Sequence, residues 1–381
     1  MEAIYLDHAA TTPVHPEVIH EMTEQLQENF GNPSSIHSYG RKARQVLDQA
    51  RRIAAKSINA TEKEIVFTSG GTEADNLALI GTAYANKENG NHIITTKIEH
   101  HATIHTAEYL EKQGFNVTYL DVDKNGVVDL DELKQALTDQ TILVSIMMVN
   151  NETGVIQPIA EIGKILADHQ AYLHTDAVQA YGMNPIDVKD MQIDLLTVSS
   201  HKINGPKGLG FLYVGKDVTL HALQHGGEQE RKRRPGTENV ASIAGFRKAI
   251  EIAQSKREEH FKTYEDYQSH FLKTLEEEAV SFSINGAESD RVPTIVNISF
   301  PGTNVESLLM NFDLSGVAAS SGSACTAGSV EPSHVLSAMH SEENPCTTNS
   351  IRFSFGYANN KDNVIEAAKK VAAIVKRLTT L

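Results

Sequence analysis

Two kinds of segment alternate along the first 240 residues. Short runs of mostly apolar residues predict buried strands at EIVFTS (64–69), HIITTK (92–97), NVTYLDV (116–122), ILVSIMMVN (142–150), AYLHTD (171–176) and DLLTVSS (194–200). Stretches with helical periodicity separate most of these runs, at 73–87, 103–113, 130–138 and 158–169. Strands that alternate with helices indicate crossover connections, and hence a mostly parallel sheet covered on both faces.

The pattern changes after about residue 240. The sequence there predicts one long helix at 240–278, strands near 294–300 and 351–355, and helices near 304–312, 332–339 and 361–378. Before this change, GLGFLYVG (208–215) follows a short turn and predicts an antiparallel member of the first sheet. We therefore expect an α/β fold, with a large domain at 15–258 and a smaller α+β domain built from 1–14 and 259–381.

Composition narrows the class of protein. The chain has 381 residues, 40% hydrophobic and 22% charged, as is ordinary for a globular enzyme. No apolar run approaches the roughly 20 residues that span a bilayer, and the N-terminus lacks the pattern of a secretory signal. The only cysteines are Cys325 and Cys346, which favours a reducing cytoplasm over a disulfide scaffold. A formal net charge of −15 argues against direct nucleic-acid binding, although RKRR (231–234) is locally basic.

Two charged residues follow predicted strands directly. Lys202 comes just after the strand that ends at Ser200, and Asp176 ends the preceding strand. Ligands of open α/β sheets lie beyond the carboxyl ends of the strands. A lysine there suits the Schiff base that pyridoxal phosphate (PLP) requires, and a carboxylate can keep the pyridine nitrogen of PLP protonated. Taken singly, a surface lysine and an N-cap aspartate are the commoner interpretations.

Two further segments suggest ligand contacts. SGGTEADN (69–76) joins a strand to a helix, and the helix N-terminus at Gly71 and Thr72 suits a phosphate. In IEHHATIH (98–105), the spacing of His101 and His105 is of a metal-binding type, but no third ligand is evident. A structural histidine is the commoner alternative. The functional alternative is an imidazole that stacks on a cofactor ring and transfers protons.

A polar, glycine-rich segment surrounds Cys325 in SSGSACTAGSVEPSHVL (320–336). Such surroundings are unlike those of a buried structural cysteine, so a nucleophile and an inert thiol are equally plausible from this segment alone. DVDKNGVVDLDE (121–132) fits a calcium-loop pattern, but a strand pattern precedes it where an EF-hand has a helix. We therefore interpret it as a strand–turn–helix connection.

Several motifs together resemble the aminotransferase class V family, and within it the cysteine desulfurases. They are YLDHAATTP (5–13), FGNPSSIHSYGRKA (30–43), HTDAVQA (174–180), SSHKINGPKG (199–208), RRPGTEN (233–239) and SSGSACTAG (320–328). The resemblance covers about residues 3–357. It implies the PLP-dependent transferase fold of type I, PLP as cofactor and L-cysteine as substrate.

The resemblance also implies roles for single residues. Lys202 would hold PLP and move the Cα proton, His100 would stack on the ring and assist proton transfer, and Cys325 would take the sulfur as a persulfide. The remaining cofactor contacts would come from Gly71, Thr72, Asn151, Asp176, Gln179, Ser199, His201 and, from a partner subunit, Thr237. Arg352 and Asn32 would bind the substrate carboxylate. No metal is implied.

The resemblance further implies a cytoplasmic homodimer that passes sulfur from Cys325 to an acceptor protein. That acceptor would serve iron–sulfur cluster assembly or tRNA thiolation. Cys346 has no role in the resemblance. The alternatives are another class V enzyme, either a transaminase or a selenocysteine lyase, and a non-catalytic scaffold of the same fold.

Overall fold

The structure is a computed structural model that describes residues 3–322 and 332–380, together with the backbone of two short strands between them. The strands are β1 (Ile4–Tyr5), β2 (Ile65–Thr68), β3 (His92–Thr96), β4 (Asn116–Leu120), β5 (Thr141–Ser145), β6 (Tyr172–Asp176), β7 (Leu195–Ser199), β8 (Gly210–Val214), β9 (Ser283–Ile284), β10 (Ile295–Ser299), β11 (Val317–Ala318), β12 (Cys325–Thr326), β13 (Ser329–Val330) and β14 (Ser350–Ser354). The α-helices are α1 (Pro16–Glu28), α2 (Ser38–Ser57), α3 (Gly71–Ala85), α4 (His101–Lys112), α5 (Leu130–Ala136), α6 (Ile159–Leu166), α7 (Val240–Ser255), α8 (Arg257–Glu277), α9 (Val305–Leu314), α10 (His334–Met339), α11 (Cys346–Asn349) and α12 (Lys361–Thr379).

The central sheet has seven strands in the order β2-β8-β7-β6-β5-β3-β4. Pairing is parallel from β7 through β6, β5 and β3 to β4, whereas β8 is antiparallel to both of its neighbours. The expected α/β fold with one antiparallel strand is confirmed. All six predicted strands are present in this sheet.

Successive side chains of the central strands point to opposite faces of the sheet, and both faces are buried. Val66 of β2 packs on one face with α3, while its neighbours Ile65 and Phe67 pack on the other with α2 and α7. Every residue of β3, β5 and β7 is buried. These strands therefore need apolar residues at successive positions, which explains their continuous apolar runs.

A second core surrounds the sheet β14-β10-β9, which is antiparallel throughout. Helices α8, α9 and α12 pack against it, with Phe271, Phe312 and Phe353 fully buried. Two short strands far apart in sequence, β1 and β11, pair in parallel beside this core. The division into 15–258 and 1–14 with 259–381 stays a prediction.

The predicted single helix at 240–278 is wrong. It is two helices, because Lys256 has φ −110° and ψ 10° and ends α7 just before α8 begins. Phe246 of α7 packs in the core on the α2 side of the central sheet, whereas Phe271 of α8 packs in the second core. The chain must change direction between the two cores, and amphipathic periodicity alone does not show this change.

The acidic segment at 121–132 connects strand β4 to helix α5. The Asp123 carboxylate accepts hydrogen bonds from the N–H groups of Asn125 and Val127, each at 2.9 Å, and Asp129 caps α5. The carboxylate oxygens of Asp123 and Asp129 therefore stabilise the turn and the start of α5.

Within the described ranges, no helix has the length and hydropathy of a membrane span.

Candidate active site

Loops that follow the carboxyl ends of the central strands surround a cavity of about 410 Å³. It lies where ligands bind in open α/β sheets. Ten of the residues predicted for the site line it: Gly71, Thr72, His100, Asn151, Asp176, Gln179, Ser199, His201, Lys202 and Arg352. Segments distant in sequence thus meet in one cavity.

Lys202 lies in a single 3₁₀ turn that directly follows β7. Its ammonium group donates to the carbonyl oxygens of Ala9 and Ala10, the latter at 3.0 Å. Burial, followed by the positive charge of Arg352, lowers the pKa of Lys202 to about 8. More of the amine is therefore uncharged at neutral pH than in an exposed lysine, as covalent attachment to an aldehyde requires.

Asp176 ends β6, and its Oδ1 accepts a hydrogen bond from the Val178 N–H at 2.8 Å. Burial raises the pKa of Asp176 to about 6, against the opposing effects of that hydrogen bond and of the Lys202 charge. A cationic group bound beside it would favour the ionised carboxylate. The protonated pyridine nitrogen of PLP is such a group, so the position fits its predicted role.

Two buried carboxylic acids that the sequence analysis missed lie near Asp176. Burial, and then the Asp176 charge, raise the pKa of Asp75 well above its ordinary value. Burial raises the pKa of Glu99 to about 8, although it accepts hydrogen bonds from the Met147 N–H and the Thr96 hydroxyl. Both residues stand inside predicted motifs, yet only the tertiary structure shows that the three carboxyls face one another.

His100 is the N-cap of α4, and its Nδ1 accepts a hydrogen bond from the Ala102 N–H at 3.1 Å. Burial, and then the Lys202 charge, lower the pKa of His100 to about 4. The ring is therefore neutral at pH 7 and carries its proton on Nε2. His101 also lines the cavity, and its ring centre lies 5.0 Å from that of His334.

His101 and His105 do pack together, with ring centres 5.1 Å apart. Over the described residues, however, no group of three or more His, Cys, Asp or Glu side chains is arranged to hold a metal ion. Contacts between imidazole rings thus explain the spacing of these two histidines.

Arg352 is buried on β14 and held from two sides. Its Nη1 donates to the Asn151 carbonyl at 2.8 Å, and its Nη2 donates to the Asp7 carboxylate at 2.9 Å. Its Nε is buried and has no partner among the described residues, and the same holds for Oδ1 of Asn151. Arg352 and Asn151 both line the cavity, so a donor and an acceptor without partners there fit a ligand that carries both a carboxylate and a hydroxyl.

The opposite end of the cavity suits an anion. Helix α3 begins there at Gly71, after Gly70 with φ 147°, a conformation that favours glycine. The exposed N–H groups of the first turn and the helix dipole attract a phosphate. Ser199 and His201 complete this end, and burial lowers the pKa of His201 to about 4. His201 can therefore serve as a neutral hydrogen-bonding group.

The aminotransferase class V family model matches residues 4–366. The chain belongs to this family. A relative named putative cysteine desulfurase IscS 1, from Bacillus subtilis, is 58% identical over 379 residues and covers 100% of both chains. Cysteine desulfurase IscS of Clostridium botulinum is 47% identical and covers 98% of this chain and 94% of its own. The family predicted from the motifs is confirmed.

Solved structures of family members are similar along most of the chain. A NifS-like protein superposes with a TM-score of 0.92 at 35% identity, covering 98% of this chain and all of its own. A structure described as SspA in complex with cysteine has a TM-score of 0.80 at 37% identity, covering 92% of this chain and 98% of that one. The PLP-dependent fold expected for the family is thus confirmed.

Two predicted site residues, Asn32 and Thr237, do not line the cavity within one chain. Asn32 is exposed in the loop before α2, where its Oδ1 accepts a hydrogen bond from the Ser34 N–H at 2.9 Å. Thr237 is also exposed. The side chain of Cys325 lies outside the described residues. The roles predicted for these residues, like those of the cavity residues, stay predictions.

Gln179 lines the cavity, but its amide donates to the Ala9 carbonyl at 2.9 Å. Lys202 binds the same carbonyl. Gln179 therefore also holds the N-terminal segment in place beside the lysine.

Proposed function

We propose that this protein is a cysteine desulfurase, which converts L-cysteine to L-alanine and transfers the sulfur to Cys325. The observation that carries the proposal is the meeting of Lys202, Asp176 and Arg352 in one cavity. Relatives that match the chain along its full length are named cysteine desulfurases.

Arg352 binds the substrate carboxylate in this proposal. The Asn151 carbonyl and the Asp7 carboxylate fix its guanidinium before the substrate arrives, so little side-chain freedom is lost on binding. Among the residues that the structure describes, its Nε has no partner and would donate to the carboxylate. This contact orients the substrate amino group toward Lys202.

Lys202 and His100 are the groups that move protons. With a pKa lowered to about 8, Lys202 can both release and take up a proton near neutral pH. His100 is neutral and carries its proton on Nε2, so it can exchange a proton with a group in the cavity and then with solvent. The Asp176 carboxylate, held by the Val178 N–H, would stabilise positive charge at the pyridine nitrogen of bound PLP.

Cys325 attacks the sulfur of the substrate as a thiolate. A sulfur–sulfur bond forms, the substrate carbon–sulfur bond breaks, and the released electron pair stays on carbon. PLP, when bound, supplies the electron sink that accepts this pair. Protonation of that carbon by Lys202 gives alanine, and the persulfide on Cys325 retains the sulfur for an acceptor.

The proposal extends to partners and location. We place the enzyme in the cytoplasm, with a separate protein of iron–sulfur assembly or tRNA thiolation as sulfur acceptor. A homodimer is supported by Leu26, Phe30, Ile36 and Tyr39, which expose 55–90% of their surface close together in sequence. Thr237 of each subunit would then reach the phosphate end of the other cavity. Sedimentation should give twice the 41.7 kDa chain mass, and an active monomer would refute the shared site.

The function is tested by incubating the PLP-loaded protein with cysteine and a reductant while alanine and sulfide are measured. The wild type should give both products. Cys325→Ala should give neither, and Cys346→Ala should match the wild type, because Cys346 is buried. A yellow protein that makes no alanine from cysteine would instead favour a transaminase. Faster turnover of selenocysteine in competition would favour a selenocysteine lyase.

A further inference from the structure

A buried carboxylate lies between the two described ends of the segment that carries Cys325. Glu152 follows Asn151 in the chain and is only 1% exposed. Toward one end of the segment, the Ser333 hydroxyl donates to its Oε2 at 2.5 Å. Toward the other end, its Oε2 lies 3.0 Å from the position that a Cβ on Gly322 would occupy. One side chain therefore contacts both ends of residues 323–331.

Each end is itself part of an ordered element. Ser333 is the N-cap of α10, where its Oγ also accepts a hydrogen bond from the Leu336 N–H at 3.1 Å. Gly322 donates to the Ser320 hydroxyl at 3.1 Å. Ser320 in turn exchanges backbone hydrogen bonds with Arg352. Glu152 thus contacts both the start of α10 and the backbone at Gly322, which is linked through Ser320 to Arg352 of the cavity.

The backbone around Glu152 fixes its place relative to the cofactor pocket. Its N–H donates to the Asn150 side chain at 2.9 Å, and its carbonyl accepts from the Asn297 amide at 3.2 Å. Burial raises the pKa of Glu152, whereas the Ser333 hydrogen bond and the charges of Arg352 and His101 oppose that rise. A carboxyl buried at this cost to its ionised form calls for a physical reason, and the contacts of Glu152 with Ser333 and Gly322 supply one.

We propose that Glu152 is a positioning residue that ties both ends of the Cys325 segment to the rim of the cofactor cavity. The hydrogen bond from Ser333 sets one end, and close packing against Gly322 sets the other. The φ of Gly322 is +88°, and a side chain there would meet the carboxylate. This inference rests on the proposed role of Cys325 as the sulfur acceptor.

The proposed positioning role of Glu152 predicts a specific defect in sulfur transfer. In a single turnover of the PLP-loaded enzyme with cysteine, Glu152→Ala should slow persulfide formation on Cys325 at least tenfold. Glu152→Gln should stay within threefold of the wild type, because its amide oxygen still accepts from Ser333. Glu152→Ala combined with Ser333→Ala should be no slower than Glu152→Ala alone, since both changes break the same bond.

Two measurements separate positioning from a general structural loss. Binding of L-alanine, which lacks sulfur, should change less than threefold in Glu152→Ala. The rate at which iodoacetamide alkylates Cys325 in cofactor-free Glu152→Ala should differ at least threefold from the rate in the cofactor-free wild type. Peptide mass spectrometry distinguishes alkylation of Cys325 from that of Cys346. Glu152→Gln should leave that alkylation rate as in the wild type.

The outcomes that would overturn the positioning role of Glu152 are distinct from those that would overturn the proposed desulfurase function. Normal persulfide formation in Glu152→Ala would refute the positioning role. So would a defect in Glu152→Gln as large as that of Glu152→Ala, or a parallel loss of L-alanine binding in Glu152→Ala. Persulfide-dependent activity that survives Cys325→Ala would refute the proposed role of Cys325 itself.

Discussion

Arg51 and Glu230 form a buried ion pair, and Glu230→Ala should strongly destabilise the protein. The two guanidinium nitrogens donate to the two carboxylate oxygens, each at 2.6 Å, and both side chains are less than 7% exposed. Glu230 also accepts from the Phe67 N–H at 3.0 Å, and Arg51 stacks on the Phe67 ring. Removing the carboxylate leaves a buried cation and a buried N–H without their partner.

The expected cost follows from this burial. Breaking a buried pair by removing one partner costs about 3–5 kcal/mol in the free energy of unfolding. With a urea dependence of about 3 kcal/mol/M, the unfolding midpoint falls by about 1–2 M. The pair also holds three successive residues with positive φ, at 47°, 56° and 65° for Glu230, Arg231 and Lys232. Such a conformation is costly for residues with side chains and needs an external restraint.

Urea unfolding followed by circular dichroism at a fixed PLP concentration measures this cost. Glu228→Ala is the matched control, because Glu228 pairs with Lys232 in the same segment but both side chains are more than 70% exposed. That change should cost no more than about 1 kcal/mol. Arg51→Met combined with Glu230→Ala should cost less than the sum of the two single changes. If Glu230→Ala unfolds at the same urea concentration as Glu228→Ala, the reasoning is refuted.

Three further predictions concern the cavity. Lys202→Ala should lose the visible absorbance of bound PLP after dialysis, and a retained band would contradict its assignment. Arg352→Lys should raise the KM for cysteine about 10- to 100-fold with PLP absorbance unchanged, because a charge-assisted hydrogen bond contributes about 1.5–3 kcal/mol; an unaltered KM would exclude Arg352 from substrate binding. The pKa of Glu99 is raised from 4.5 to about 8, so its contribution to stability is present below pH 4.5 and lost as the pH rises toward 8. Cofactor-free Glu99→Gln should therefore lose less unfolding free energy than the wild type between pH 4.5 and 8, and parallel pH profiles in urea unfolding would argue against this.

Local patterns were sufficient for much of the fold. The strands of the central sheet were predictable because a strand buried on both faces needs successive apolar residues. Lys202 and Asp176 could be proposed as site residues because Asp176 ends such a strand and Lys202 closely follows one. By contrast, the end of α7 at Lys256 depends on which of two cores each helix packs against, and the periodicity continues through it.

The amino-acid sequence by itself determined the alternation of strands and helices in the central sheet, the family, and most of the residues that meet at the carboxyl edge of that sheet. Each of these follows from short-range patterns or from motifs with fixed spacing. Only the tertiary structure decided which carboxyl groups are buried together, because Asp75 lies in α3, Glu99 lies in the loop after β3 and Asp176 ends β6. It also decided the partners of Glu152 and Glu230, which lie 181 and 179 residues away in the chain. Contacts over such separations depend on how the layers pack, and no local pattern encodes them.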